Sequence, residues 1–104
     1  MTLSGIDIRK FFLGFIRIHV LHHAAKEPVY GLWLIEELAH HGYKLSPGTL
    51  YPVLHALEAE GHLRSKKELH GGKVRKYYRI TPKGARMLAE SKERIMALVQ
   101  EVME

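Results

Sequence analysis

Basic side chains are concentrated in one stretch of the sequence. Nine lysines and arginines lie between Leu63 and Arg86, and Glu68 is the sole acidic residue among them. From Met87 to Glu104 the sign reverses, with four glutamates against two basic residues. This density of ammonium and guanidinium groups is typical of a surface that binds the phosphate backbone of a nucleic acid, although a solvated face without a partner has the same composition.

Hydroxyl groups and an imidazole lie shortly before this basic stretch. Ser46 and Thr49 stand at the start of a predicted helix, Tyr51 follows, and His55 lies one turn further. Hydroxyls at a helix start can bond phosphates or base edges, and the free N–H groups there favour an anion. The alternatives are that Ser46 only caps the helix and that Tyr51 only packs. We predict DNA contact by Ser46, Pro47, Gly48, Thr49, Tyr51 and His55.

The histidines suggest a different chemistry, which is metal binding. Two of the eight, His19 and His23, are four residues apart, a spacing that allows shared coordination from one helix face. However, there is no cysteine and no acidic residue at the neighbouring turn, and the adjacent His40 and His41 point in different directions. We therefore favour structural histidines and expect neither a metal nor another cofactor. A metal-responsive regulator is kept as an alternative.

Hydrophobic periodicity predicts the helices that position these residues. A first helix is predicted over Ile8–Lys26, ending before Pro28, and its apolar residues cover more than one face. Such a helix should be covered on two sides. A second helix is predicted from Tyr30 to His41, with Gly42 as its C-terminal stop.

A third helix and a hairpin follow in the sequence. Ser46 and Pro47 suit the N-cap and the first position of this helix, which Gly61 ends. Two short strands are predicted over Leu63–Leu69 and Val74–Ile80, joined by a tip whose two glycines supply the positive φ of a tight turn. The hairpin carries the other residues that we predict to contact DNA, which are Lys66, Lys67, Lys73, Arg75 and Lys76.

A last helix is predicted from Pro82 to about Val102, with Thr81 as its cap. Leu88, Ile95 and Val102 recur every seven residues on this helix. A stripe of this length suits a self-pairing surface, and packing onto its own domain is the alternative. Together with the apolar first helix, it predicts dimerisation through Phe11, Phe15, Leu88, Ile95, Leu98, Val99 and Val102.

The order of three helices, a hairpin and a last helix predicts a winged helix-turn-helix, a mainly α fold with a β-hairpin wing (α+β). In such a fold the third helix enters the major groove by its N-terminal end while the basic hairpin follows adjoining phosphates. We predict a winged helix-turn-helix DNA-binding domain over residues 1–81 and a C-terminal dimerisation helix over residues 82–104, in one compact unit.

Three segments resemble the PadR family of transcriptional regulators. Residues 47–61, PGTLYPVLHALEAEG, are similar to the family's recognition-helix signature. Residues 77–84, YYRITPKG, are similar to the end of its second strand, and residues 28–31, PVYG, to the start of its second helix. The chain departs from the family pattern at Tyr30, where histidine is usual, and at Leu32, where a tyrosine often follows the glycine.

The resemblance implies a bacterial or archaeal repressor that dimerises through its first and last helices and binds an inverted repeat in double-stranded DNA. Some relatives release DNA on meeting phenolic acids, drugs or other small aromatics, so a small aromatic effector is a further expectation. Trp33, the only tryptophan, lies away from the apolar stripe of the second helix. It is our candidate effector contact, with plain packing as the alternative.

Other classes of protein are disfavoured. No catalytic triad order, carboxylate pair or glycine-rich phosphate loop rises above chance, so we expect no enzyme. A winged-helix protein-interaction module stays open, because fold does not decide function. The apolar stretch from Phe11 to Ala25 is interrupted by Arg17 and histidines, and residues 1–7 lack the pattern of a secretory signal. We expect a cytoplasmic protein without a membrane segment.

Overall fold

Five helices and one antiparallel hairpin make up the structure, a computed structural model that describes residues 3–104. The helices are α1 (Gly5–Phe11), α2 (Leu13–Lys26), α3 (Gly31–Ala39), α4 (Pro47–Ala59) and α5 (Pro82–Val102), and the strands are β1 (Leu63–His70) and β2 (Lys73–Ile80). α3 and α4 form the helix-turn-helix, and the two strands form the wing. The predicted winged helix-turn-helix is thereby confirmed.

The predicted first helix is divided in two. Phe12 leaves the helical conformation, with φ −106° and ψ 19°, and separates α1 from α2. Ser4 caps α1 by accepting the Asp7 N–H at 3.1 Å, so the helix begins before the predicted Ile8. Periodicity did not locate the break because apolar residues continue on both sides of it. Four residues of α2 are buried in the core, whereas α1 has no buried residue.

The hydrophobic core lies where α2, α3 and α4 meet the base of the hairpin. Gly31 at the start of α3 lies directly against the Tyr51 ring of α4, and a Cβ at this glycine would stand 2.6 Å from the Tyr51 Oη. The two helices can approach this closely only because Gly31 has no side chain. The fully buried side chains of the core include Ile16, Val20, Leu34, Leu38, Leu50, Leu54 and Leu57.

The hairpin is tied to the helices at its base. β1 and β2 pair over eight residue pairs, and Gly71 and Gly72 form the turn with φ 56° and 79°, as predicted. Val29, just before α3, pairs with the outer edge of β2: it donates to the Tyr78 carbonyl at 3.0 Å and accepts from the Tyr78 N–H at 2.7 Å. This bridge fixes the wing relative to the helix-turn-helix.

The last helix begins as the sequence predicts. Thr81 caps α5 by accepting the Gly84 N–H on its Oγ1 at 3.0 Å, and Pro82 occupies the first helical position. α5 packs against α2 through its N-terminal half, where Leu88 is buried. No helix within residues 3–104 is both long and apolar enough to cross a membrane.

Candidate nucleic-acid interface

One groove joins the helix-turn-helix to the wing. It encloses about 320 Å³ between the start of α3, the side of α4 and the strand β2. The groove thereby brings Tyr51 together with three of the five basic wing residues that the sequence predicts as DNA contacts. Its lining residues are Tyr30, Gly31, Leu32, Tyr51, Lys73, Val74, Arg75 and Lys76.

The first turn of α4 offers an exposed hydroxyl and an open backbone. Ser46 is exposed and its side chain makes no capping hydrogen bond, while its Oγ lies 3.3 Å from the Thr49 Oγ1. Pro47 is exposed, and a Cβ at Gly48 would meet only the Ser46 Oγ, at 3.8 Å. At this helix start Pro47 has no N–H and the Thr49 N–H donates to the Ser46 carbonyl at 3.0 Å, which leaves the Gly48 N–H open. An anion can therefore approach the backbone of this turn closely.

Tyr51 and His55, further along α4, differ in exposure. His55 is exposed, whereas Tyr51 is half-buried and its hydroxyl packs over Gly31. The two ring centroids are 6.4 Å apart. Tyr51 thus has a packing role in the folded chain as well as an edge that lines the groove, and its contact with DNA stays a prediction.

Three lysines of the wing are free of acidic partners. Lys66, Lys67 and Lys73 are exposed and form no ion pair within residues 3–104. Lys67 lies directly opposite Lys76 in the hairpin register. Like charges at opposed positions of a hairpin repel each other and destabilise it. A bound phosphate would remove that repulsion, so this pair of lysines is more stable with a polyanion bound than in the isolated chain.

The other two basic residues of the wing contact neighbouring groups. The Arg75 guanidinium carbon lies 4.3 Å from the centroid of the Tyr30 ring, in a cation–π arrangement. The Lys76 Nζ lies 3.9 Å from a carboxylate oxygen of Glu58, whose other oxygen accepts the Ser65 N–H at 3.0 Å. These contacts fix Arg75 at the start of α3 and Lys76 beside α4.

Apolar side chains stand near the tip of the wing. Leu69 and Val74 face each other across the hairpin and are 70% and 67% exposed. Apolar groups at the tip of a basic ribbon can contact sugars or bases in the minor groove. Sequence reasoning did not single out this pair, although the alternation of side chains along paired strands places them on one face.

The predicted dimerisation residues are mostly exposed. Phe11 on α1 is 83% exposed, and Val102 near the end of α5 is 63% exposed. Leu98 and Val99 are about half exposed, and Phe15 and Ile95 line a second groove. Leu88 differs from the others, because it is only 7% exposed and belongs to the core of its own chain.

The second groove runs between α2 and the middle of α5 and encloses about 340 Å³. Most of its surface is apolar, and one lysine and two histidines are among its lining residues. Its lining residues are Phe15, Ile18, His19, His22, Leu88, Lys92 and Ile95.

Trp33 packs against α2 rather than into either groove. Its ring lies edge-on to His23, with centroids 5.2 Å apart, and it contacts the core. Burial, reinforced by the nearby His41, lowers the pKa of His19. Burial also lowers the pKa of His23, reinforced by its neighbour His22 and opposed by Glu37. Both shifts favour the neutral form of the ring.

Sequence reasoning omitted four residues that line the groove between α4 and the wing, which are Tyr30, Leu32, Gly31 and Val74. A signal for the first two was available, because Tyr30 and Leu32 are the positions at which the chain departs from the family pattern. Their place in the groove depends on the bridge between Val29 and β2, a long-range pairing that no local pattern reveals.

The chain is similar to known regulators of transcription. Residues 20–90 match the model of the Transcriptional regulator PadR-like family. Transcriptional regulator Rv3488 of Mycobacterium tuberculosis is 47% identical over 96 residues, which cover 92% of this chain and 90% of that protein.

Solved structures share the fold. A PadR family transcriptional regulator from Eggerthella lenta is 37% identical with a TM-score of 0.76, over 93% of this chain and 83% of that one. A PadR-like transcriptional regulator from Bacillus cereus is 29% identical with a TM-score of 0.77, over 94% and 97% of the two chains. These relatives are named as regulators of transcription and not as enzymes.

Proposed function

This chain belongs to the PadR-like family of transcriptional regulators, and on that premise we propose that it is a repressor which binds an inverted-repeat operator as a homodimer. Each protomer inserts the first turn of α4 into the major groove, while Lys66, Lys67 and Lys73 hold the flanking phosphates. Occupation of a promoter by the dimer excludes RNA polymerase. A small aromatic molecule that changes the angle between the protomers releases the DNA.

One observation carries this proposal. Tyr51 of α4 and the basic wing residues Lys73, Arg75 and Lys76 line the same groove, so one duplex can contact both elements. The backbone of α4 can approach the duplex because Gly48 has no Cβ there. The lysines supply affinity through release of counterions from the phosphates. The side chains at the start of α4 determine which DNA sequence is bound.

Dimerisation through residues 82–104 and the first helices completes the proposal. α5 buries only Gly84 and Leu88 within its own chain, so its last two turns leave Leu98, Val99 and Val102 exposed. A second copy that packs its own stripe against these residues covers them and places two α4 helices side by side. We omit Leu88 from this interface because the core of its own chain already buries it.

We place the aromatic effector in the groove between α2 and α5. Its volume of about 340 Å³ is that of a small-molecule pocket, and Phe15 and Ile95, which line it, belong to the proposed dimer seam. A ligand there would alter the angle between protomers and hence the spacing of the two α4 helices. Trp33 does not line this groove, so phenolic compounds that lower DNA affinity should leave its fluorescence constant, and a change in that fluorescence would instead place the effector at Trp33.

Selection of bound duplexes from a random pool tests the function. We expect a palindrome whose half-sites are about 10 base pairs apart, and reduced transcription from a promoter that carries it when the protein is added. Changing Leu98 and Val102 to glutamate should raise the dimer Kd on the order of 100-fold, because it places charges in an apolar seam, and should cost the palindrome preference.

The matched control is the pair Ala97→Glu and Gln100→Glu, which adds the same charge to another face of α5. It should leave the dimer intact in sedimentation experiments. A selection without any enriched sequence would contradict the proposal, and activation by the protein would contradict repression. If the protein remained a dimer after the Leu98 and Val102 changes, the dimer interface would lie elsewhere on the chain.

The substitution Gly48→Ala separates DNA binding from folding. Alanine is a better helix former than glycine and meets no close neighbour at this position, so the free energy of unfolding should rise by roughly 0.5–1 kcal/mol. The added methyl group would hold the backbone of α4 away from the duplex, so we expect about a tenfold loss of operator affinity. Urea titration and fluorescence anisotropy measure the two effects.

Gly14→Ala is the control for Gly48→Ala. Gly14 lies on α2, and a Cβ at this position would meet no neighbouring segment within 4 Å. The same change should therefore stabilise the fold and leave DNA binding unaltered. If Gly48→Ala bound the operator as tightly as the unchanged protein, the first turn of α4 would not approach DNA through its backbone.

A further inference from the structure

Three histidines from two separate elements converge beside α3. His19 and His23 lie one turn apart on α2, and His41 lies just after the end of α3. One ring nitrogen from each lies within 4.8 Å of those of the other two. The centroid of the His19 ring is 4.7 Å from that of His41 and 6.4 Å from that of His23.

We propose that His19, His23 and His41 form a binding site for a divalent transition-metal ion of the zinc class, such as Zn²⁺, Co²⁺ or Ni²⁺. Imidazole nitrogens are preferred ligands of these ions, whereas Mg²⁺ and Ca²⁺ prefer oxygen. Three imidazoles leave one coordination position for a carboxylate or a water. Tetrahedral Zn–N bonds of about 2.0–2.1 Å require nitrogens roughly 3.4 Å apart, a contraction that requires rotation of the His19 and His41 side chains.

The buried nitrogen of His23 is a second observation that points to a ligand. Its Nε2 is buried and has no hydrogen-bond partner within residues 3–104, and its side chain is only 13% exposed. A buried polar atom without a partner is destabilising, and native structures rarely leave one unsatisfied. Coordination would satisfy it.

Glu37 completes the set of groups around these nitrogens. Its Oε1 lies 3.9 Å from the His23 Nε2 and 3.5 Å from the His41 Nε2. The carboxylate can serve as the fourth ligand or orient a coordinating ring through a hydrogen bond. The sequence argument against a metal sought acidic residues at the turns next to His19 and His23 and treated His40 and His41 as a pair, whereas α3 brings Glu37 and His41 to α2 from elsewhere in the chain.

Calorimetric titration of the tag-free protein with Zn²⁺ tests the site. We expect one ion per chain and a rise in Tm, because an ion that binds only the folded state stabilises it. His41→Gln should lower the affinity by about tenfold or more, and folding is not at risk because this side chain is exposed. Titration with Co²⁺ should produce visible absorption bands of nitrogen and oxygen coordination, which His41→Gln should weaken.

His40→Gln is the matched control, because His40 is adjacent, exposed and 3.8 Å from Glu37 but lies outside the cluster. It should leave the affinity unchanged, and Mg²⁺ should produce neither heat nor a Tm shift. Equal losses from His40→Gln and His41→Gln would show loose surface binding and overturn the proposal, as would the absence of Zn²⁺ binding. These outcomes do not depend on the proposed DNA-binding function.

Discussion

Replacing Lys66, Lys67 and Lys73 with alanine is expected to lower the affinity for operator DNA on the order of 100-fold or more at physiological salt. All three side chains are exposed and lack an acidic partner within residues 3–104, so their charge is available to phosphates. A dimer would lose six such contacts. Each phosphate contact adds about 0.9 to the slope of log affinity against log salt, so the slope should become shallower by about 5.

The fold should tolerate this triple substitution. Lys67 opposes Lys76 across the hairpin, so its removal relieves a repulsion instead of breaking a contact. Changing Arg75 and Lys76 would give a less clear result. Arg75 stacks on Tyr30 and Lys76 pairs with Glu58, so their loss would disturb the packing of the wing as well as its charge.

A control with the same net charge separates local contact from overall electrostatics. Lys10→Ala, Lys26→Ala and Arg94→Ala remove three positive charges from α1, α2 and α5, outside the wing and its groove. This control should lower the affinity by a few-fold only, with a nearly unchanged salt slope, in anisotropy titrations at several salt concentrations. If both triple variants had the same slope, the wing would not contact the backbone, and only the net charge of +5 would attract DNA.

Local signals were sufficient to predict most elements of this fold. Capping residues followed by proline marked the starts of α4 and α5, at Ser46 and Thr81, and the glycine pair at the hairpin turn marked the wing. Each of these signals depends on the conformational preferences of one or two neighbouring residues. These elements are present in the folded chain because the tertiary packing favours the same local conformations.

Contacts between distant segments could not be predicted in the same way. The bridge from Val29 to Tyr78, the stacking of Arg75 on Tyr30 and the approach of His41 to α2 all join segments that share no local pattern. Helical periodicity placed Leu88 in the dimer seam because it shares a stripe with Ile95. The structure places it in the core of its own chain, because α2 covers that end of α5.

Gly84→Ala is expected to be the most destabilising single methyl addition in the chain. Gly84 is buried in the first turn of α5, and a Cβ there would lie 2.1 Å from the His62 carbonyl oxygen and 2.8 Å from the Ile80 Cγ1. Overpacking of this kind costs about 3 kcal/mol at the upper end of its usual range, even though alanine is the better helix former. For a chain of this size the Tm should fall by roughly 12–20 °C.

The contact between the first turn of α5 and the His62 carbonyl cannot easily relax, because several hydrogen bonds hold this carbonyl in place. The His62 carbonyl that the methyl group would strike accepts the Thr81 N–H at 3.1 Å, and the Thr81 Oγ1 donates to the Gly61 carbonyl at 2.5 Å. Moving the His62 carbonyl would break the link between the end of α4, the start of β1 and the start of α5. The added methyl group therefore destabilises the fold, either through steric overlap with the His62 carbonyl or through the loss of these hydrogen bonds.

Thermal and urea unfolding at a fixed chain concentration, with Gly14→Ala as the stabilised control, measure the effect. A Gly84→Ala chain as stable as the unchanged protein would mean that α5 does not pack this tightly against the turn before β1. Because Gly84 lies outside the groove between α4 and the wing, DNA binding should decline only as far as the folded fraction declines. A loss of affinity in a fully folded Gly84→Ala sample would instead show that the start of α5 sets the position of the wing on DNA.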